Sequence, residues 1–482
     1  MFERFRLPQL YYLIPVVILF AAGMLLAGCQ ATATLLSPSA TPDPPTPTAA
    51  LNTAPATIPP EPSLTPAWAS SLTAATLTPT PPETPLPPQF GYTHLRSDGN
   101  RLLAGQGRLP EVKPIDITLA GPPQWLVAAP FGRDTSAWVA VLSDGRTEGF
   151  IISTGGVVTP TAVTPAELPS TMPPLLRVEQ GVLSLVTPPT TAASLQTHPI
   201  ILPPTDTKVS VQANGDLLFG DNPNLASLPV SALPDARLLS DGTGRLLLYS
   251  NPTSRYAHGV LGDAFEAGGI TLVETQPEQM VTAVIPIPKP SVGEGIAPIW
   301  ADLTGDGERE IIVTLSNADQ GAQIVLFNQA GEQIAAGPPI GRGSRWRHQL
   351  AVAPFAPDGS LELAAVLTPH IGGVVEFYRL EADGLKIVAQ LPGYTSHVLG
   401  TRNLDMAAAG DFDGDGRYEL LLPNQPRTEL GVIRRTAEGA TVAWTVSLDG
   451  VLSTNVAGVT LPDGRLAVGV GRDDGVLRVW GS

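Results

Sequence analysis

The stretch Leu404-Asp405-Met406-Ala407-Ala408-Ala409-Gly410-Asp411-Phe412-Asp413-Gly414-Asp415-Gly416-Arg417-Tyr418-Glu419-Leu420-Leu421-Leu422 is two short apolar runs around an Asp/Gly turn. Two further runs follow, Gly431 to Arg434 and Thr441 to Val446, so the unit reads as four short strands. Runs of this length, bounded by Gly, Asp, Asn or Pro, are strand signals, and no long amphipathic helical pattern competes with them. The layout recurs upstream. One copy runs Ala297 to Asp302, an Asp/Gly turn, Glu310 to Leu315, Ala322 to Phe327 and Gln333 to Ala336. Another runs Gln349 to Pro354, Pro357-Asp358-Gly359, Leu361 to Leu367, Gly373 to Leu380 and Leu385 to Leu391.

First strands begin near Trp125, Leu175, Ala236, Ala297, Gln349, Leu404 and Asn455, a period of roughly 50 to 60 residues. Each period has room for the four strands of a propeller blade. The sequence therefore predicts an all-β fold over 90–482, a β-propeller of seven four-stranded blades, with the irregular region 175–235 leaving six or eight open. The chain stops at Val476-Leu477-Arg478-Val479-Trp480, one strand short of a blade. A strand over Ile115 to Leu119 is predicted to complete it and close the ring.

Two turns between first and second strands carry hard oxygen donors. Asp411, Asp413, Asp415 and Glu419 stand at positions 1, 3, 5 and 9, with the Arg417 carbonyl at position 7. Gly414 and Gly416 permit the tight turn. Several carboxylates and a carbonyl on a short loop form the donor set that Ca²⁺ prefers. Asp302, Thr304, Asp306, the Glu308 carbonyl and Glu310 repeat the layout with one charge fewer, which predicts weaker binding. An EF-hand would need helices on both sides and a Glu at position 12; metal-free Asp-Gly turns are the plainer alternative.

These turns resemble the calcium-binding turns of FG-GAP and VCBS repeats in integrin-type β-propellers and bacterial surface proteins. The likeness covers two clear repeats and degenerate ones such as Ala356-Pro357-Asp358-Gly359-Ser360-Leu361-Glu362 and Leu461-Pro462-Asp463-Gly464-Arg465. It departs at Glu310 and Glu419, where Asp is common in the family. The resemblance implies calcium as a brace for the turn, which identifies structure and not activity.

The N-terminus sets location. Arg4 and Arg6 precede an apolar run from about Leu10 to Leu26, which ends in Leu26-Ala27-Gly28-Cys29. This ending resembles the bacterial lipobox, in which the cysteine thiol is lipidated before cleavage. A plain membrane-spanning anchor is the alternative, since the run lies near the ~17–25 residues needed to cross a bilayer. Cys29 is the only cysteine in the chain. Residues 1–28 are thus read as a lipoprotein signal peptide, and the mature chain as exported and held to the cell envelope by lipid on Cys29. Residues 29–89 are rich in Pro, Thr, Ala and Ser and poor in apolar bulk, the composition of a disordered, semi-rigid tether.

A net charge of −16 and the lack of any basic block argue against nucleic acid as a partner. In a four-stranded blade, the loops between second and third strands share one face with the links between blades. Those loops carry His258, Arg345, Arg347, His348, His370, His397, Arg402, Asn403, Asp405, Asn424 and Arg427, in a chain with only six histidines. Such a set suits an anionic or sugar-like ligand, or a metal held through imidazoles. The favoured function is a calcium-bearing surface recognition module for a protein or glycan. The alternative is a sugar-directed hydrolase, lyase or dehydrogenase working from the His/Arg face, although nucleophile-elbow, zincin and phosphate-loop motifs are missing.

Overall fold

The computed structural model describes residues 86–189, 192–221, 227–256 and 258–481. All of them fall within the second of two compact units, Thr80–Ser482. The segments read as signal peptide and tether, with Cys29, lie outside the described residues as far as residue 85. Gln89, the last residue assigned to the tether, already begins a strand, Gln89–Tyr92.

Among the described residues every regular element is a β-strand. Six sheets each supply one blade, and a nine-stranded sheet is two blades bridged by Val292–Gly293. In chain order, blade 1 is Pro123–Pro130, Thr135–Leu142, Thr147–Ser153 and Val158–Thr161. Blade 2 covers 163–185, blade 3 covers 200–229 and blade 4 covers 239–286. Blades 5, 6, 7 and 8 cover 299–336, 347–392, 408–447 and 457–480. The fold is a β-propeller, and the expected count of seven is corrected to eight. The missed blade is the third, Ile200–Leu202, Thr207–Val211, Asp216–Phe219 and Leu228–Pro229. Its strands are short and Pro-interrupted, so they produced no run long enough to register as a repeat.

The ring closes because each apolar core is shared by neighbours. Leu126 and Trp138 of blade 1 pack with Ala457 and Val459 of blade 8. Blades 1 and 2 share Val127, Val139, Leu176 and Leu183, and blades 5 and 6 share Ile312, Leu326, Leu363 and Tyr378. Strands covered on both faces read as continuous apolar runs such as Ile311-Ile312-Val313, whereas the outer Gly439–Ser447 stays largely exposed. The predicted closing strand is present. Ile115–Thr118 pairs antiparallel with Val476–Trp480, and Asp116 accepts bonds from the Arg478 guanidinium at 2.6 and 2.7 Å.

The N-terminal segment also threads the middle of the ring, which the sequence did not suggest. Gln89–Tyr92 pairs with Leu175–Glu179 of blade 2. Residues 97–101 then pass the first strands of four blades in turn. The Ser97 carbonyl accepts from the Ser240 amide at 2.8 Å, and the Asp98 carbonyl from Trp300 at 3.1 Å. The Asn100 side-chain oxygen takes the Val352 amide at 2.9 Å, and the Arg101 carbonyl takes Ala409 at 2.8 Å. Leu102–Gln106 finally runs parallel beside Ala408–Asp411. Strand amides that face the central channel, and that water would otherwise have to satisfy, find their acceptors here.

One charged cluster pins this axle. Arg237, from the link into blade 4, donates to Asp405 at 2.6 and 3.1 Å, and Arg101 donates to it at 2.9 Å. All three residues are buried. Burial alone would push the Asp405 carboxyl up, but Arg237 and Arg101 outweigh it and hold the group far below the usual carboxylate range. Removing one partner from such a cluster leaves a buried charge without compensation. Asp405→Asn is therefore expected to lower unfolding stability by about 3–5 kcal/mol, read from the denaturant midpoint.

Candidate functional site

The site grows from the entry to blade 6, Arg345-Trp346-Arg347-His348. Strand alternation puts Trp346 and His348 on one side, and their rings stack with centroids 4.6 Å apart. The Trp346 carbonyl accepts the Thr368 amide at 2.8 Å, which fixes the turn that carries His370. His397 comes from the link between blades 6 and 7 and meets the indole edge-on at 5.2 Å. His370 stacks on the same indole at 6.1 Å. Three imidazoles, His348 from the first strand of blade 6 and His370 and His397 from loops, thus surround one buried tryptophan; the expected loop placement of Arg347 and His348 is corrected to that strand, Arg347–Ala353.

Hydrogen bonds order the rings. His370 Nε2 lies 2.6 Å from His397 Nδ1, and His397 Nε2 lies 2.7 Å from the Thr401 carbonyl. His348 Nδ1 faces Ser396 Oγ at 2.9 Å, while its Nε2 is buried and has no partner. Burial lowers all three pKa values: well below the usual range for His348, down to about 4 for His397, and below its ordinary value for His370. His258 is close enough to His370 to contribute to that lowering. Its Nδ1 is hydrogen-bonded to Glu294, whose other oxygen accepts from Ser316. The four histidines singled out in the sequence are all at this end of the ring.

The two remaining histidines were missed. His94 and His198 stack at 5.5 Å beside Tyr92 and are fully enclosed next to Arg237 and Asp405. His198 enters blade 3 as His348 enters blade 6, and it was lost with that blade. His94 belongs to the axle.

Most of the other predicted residues are committed to the protein's own groups. Arg347 donates to Glu376 at 2.9 Å, and Arg402 is held by Asp235 at 2.9 Å and by Asp263. The Asn403 side-chain oxygen accepts the Asp405 amide at 3.1 Å, and Asp405 is the axial anchor. Asn424 accepts the Thr428 amide at 3.0 Å, and Arg427 donates to the Leu452 carbonyl at 2.8 Å. Arg345 alone of these predicted arginines is exposed. It borders a groove of about 510 Å³ lined by Pro339, Ile340, Ser344, Leu367 and Ile371 among others. Ile371 of that groove is 82 % exposed, and on the links at 397–402 and 258–265 Leu399 is 63 % and Phe265 56 % exposed. Their loops interlock, because the Gly400 amide donates to the Val260 carbonyl at 2.8 Å and Arg402 reaches Asp263.

The acidic turns occupy the first-to-second-strand position. Strands Ala408–Asp411 and Glu419–Pro423 flank the 411 turn, which removes the helix-flanked alternative. Asp411, Asp413 and Glu419 bring carboxylate oxygens within 4.8 Å of one another, the one such donor group among the described residues. The chemistry and spacing fit a hard cation, but the turn already holds a positive charge. Arg434, on strand Glu429–Thr436, reaches Asp413 at 2.8 Å, Asp415 at 3.1 Å and Glu419 at 3.0 Å. Asp411 instead accepts the amides of Gly414 and Gly416 at 2.8 and 3.0 Å. In the 302 turn, Asp302 likewise takes the amides of Gly305 and Gly307 at 2.6 and 2.9 Å, and Glu310 takes Leu303 and Thr304 at 2.7 and 3.1 Å. Asp306 accepts the Glu308 amide at 2.8 Å.

No protein-family model and no curated protein matches this sequence. Many solved structures match it, two of them as follows. BamB from Moraxella catarrhalis has 11 % sequence identity and a TM-score of 0.38, covering 76 % of this chain and 96 % of its own. The WD40 domain of Toxoplasma gondii coronin has 8 % identity and a TM-score of 0.38, covering 78 % and 88 %. The propeller itself is read from the sheets.

A buried acid next to the histidines gives this end a pH signature. Glu266 is pushed up to about 9 by burial and then by Glu294, Asp263 and Asp235, with the Gly295 amide pulling the other way. A folded pKa above the unfolded value of about 4.3 stabilises the fold below that value and loses the benefit as pH rises towards 9. Glu266→Gln should therefore raise the denaturant midpoint more at pH 9 than at pH 5, flattening the profile.

Proposed function

We propose that this chain is an exported, lipid-anchored recognition module whose histidine end takes a protein partner. Ile371, Leu399 and Phe265, standing exposed around the imidazole cluster, carry this reading. Large apolar side chains left in water at one place mark interaction surfaces. Glycan recognition would favour a broad exposed aromatic platform; Trp346 is buried, and of the three exposed side chains two, Ile371 and Leu399, are aliphatic. The sugar-directed enzyme reading has no comparable observation behind it. Cys29 supplies the lipid and 29–89 the reach, as the composition of those segments suggests. A photo-crosslinking residue placed at Ile371 or Leu399 in cells should give discrete adducts, and the same residue at Val157, 65 % exposed on blade 1, should not. Equal adducts from all three positions, or none, would defeat the reading.

The proposal includes calcium at the 411 turn, of the FG-GAP/VCBS type, through Asp411, Asp413, Asp415, the Arg417 carbonyl and Glu419. The ion competes with Arg434 for the same carboxylates. Calcium should raise the melting temperature and chelation should lower it, since a ligand that binds only the folded state stabilises it. Arg434→Gln should lower metal-free stability while tightening calcium binding, measured by calorimetric titration. Calcium binding that is absent in both proteins would remove the ion from the proposal.

A further inference from the structure

The link from blade 5 to blade 6 contains Gly341-Arg342-Gly343-Ser344-Arg345. Gly341 and Gly343 stand at φ 99° and 106°, a region that favours glycine, and the link bends tightly there. Backbone bonds hold it against the second and third strands of blade 5. The Ile340 amide donates to the Ala322 carbonyl at 3.0 Å, and the Gly341 amide to the Gln320 carbonyl at 2.8 Å. Arg342, Ser344 and Arg345 are left exposed on this fixed backbone.

The two arginines differ from the rest of the chain. Among the described residues most arginines are tied to a carboxylate, as Arg347 is to Glu376 and Arg402 to Asp235. Arg342 and Arg345 have no ion pair there. Arg345 also borders the groove of about 510 Å³, which is lined by Pro339 and Ile340 from the link and by Leu367 and Ile371 from blade 6. The blade 6 side is held in place as well. The Thr368 amide donates to the Trp346 carbonyl at 2.8 Å, and the Ile371 amide to the Thr368 carbonyl at 2.9 Å. An aliphatic groove with an unpaired guanidinium at its edge is thus ordered before any partner arrives, which lowers the cost of binding.

We propose that this groove takes an extended segment of a protein partner in which an aliphatic side chain stands beside Asp or Glu. The inference rests on the recognition reading above and adds the chemistry of the partner. The aliphatic side chain covers Ile371, 82 % exposed, and the carboxylate meets Arg345, with Arg342 on the same loop as a second cation. A guanidinium can grip a carboxylate through two parallel N–H···O bonds, so a carboxylate is preferred over a neutral polar group. The net charge of −16 does not oppose this pairing, because charges more than about 8 Å apart are largely screened at physiological salt. An anionic membrane fits less well, since such surfaces are held by clusters of about four to eight basic residues.

The test is selection of a random peptide display library on the full-length chain in detergent. A selected peptide, made synthetically, is then titrated against wild type and variants. Selected peptides should pair Asp or Glu with an aliphatic residue. Their Kd should rise at least ~10-fold in Arg342→Glu/Arg345→Glu and should also rise with added salt. Ile371→Ser should weaken binding too, whereas Arg108→Glu, at an exposed arginine before the Leu109 amide that bonds Phe412, should not change it. All these side chains are exposed, so melting temperatures should stay at the wild-type value. No selected peptide, peptides without acidic residues, or equal affinity in the double variant would overturn the proposal. Binding to phosphatidylserine vesicles, or self-association of the chain, that is lost in the double variant while no peptide is selected would overturn it in favour of a membrane or a second copy. Photo-adducts from Ile371 that persist in the double variant would overturn the acidic partner alone and leave the recognition reading standing. Their absence from the wild type would defeat that reading itself.

Discussion

The Asp405 carboxylate, clasped by Arg101 and Arg237, is the interaction on which the ring depends. It joins three parts of the chain that are remote in sequence: the axle, the link into blade 4 and the link into blade 7. A propeller closed only at its outer edge, here by Ile115–Thr118, leaves its central amides and carbonyls facing a channel. This chain fills the channel with its own N-terminal segment, and the buried cluster sets that segment's register. Such a cluster adds little over a well-packed apolar one, yet breaking it strands a charge, so it specifies one arrangement strongly.

That anchoring explains why the two ends of the ring differ. Links into successive blades converge on the axis, so residues at or just before the start of a first strand, such as His198, Arg237, His348 and Asp405, come together there despite their separation in sequence. The opposite turns splay outwards and make local contacts, with Asp302 and Asp411 capping amides within their own loops. One end can therefore assemble a site from many blades, while the other repeats a small self-contained motif.

The 411 turn shows how a motif can be legible while its occupant is not. Its carboxylates could be read directly from spacing. Arg434, fifteen residues past Glu419 and two strands away from the turn's entry, carries no local signal that it would point back into the turn. Only the antiparallel pairing of Leu420 with Ile433 brings it alongside. A guanidinium and a divalent ion satisfy the same oxygens, so the tertiary structure turns a simple binding loop into a competition between cations.

What the sequence by itself determined is whatever is local or periodic. Strand runs and Asp/Gly turns marked the blades with long strands, the missing last strand pointed to 115–118, and a proline- and threonine-rich composition set residues 29–89 apart from the rest. Loop position collected His258, His348, His370 and His397 because the blade register there was regular. The third blade, the axle, and the pairing of Arg347 and Arg402 with buried or half-buried acids were decided only by tertiary structure. Short strands broken by proline leave no period to count. Likewise, whether an arginine meets a carboxylate or a ligand depends on which distant blade supplies its neighbour.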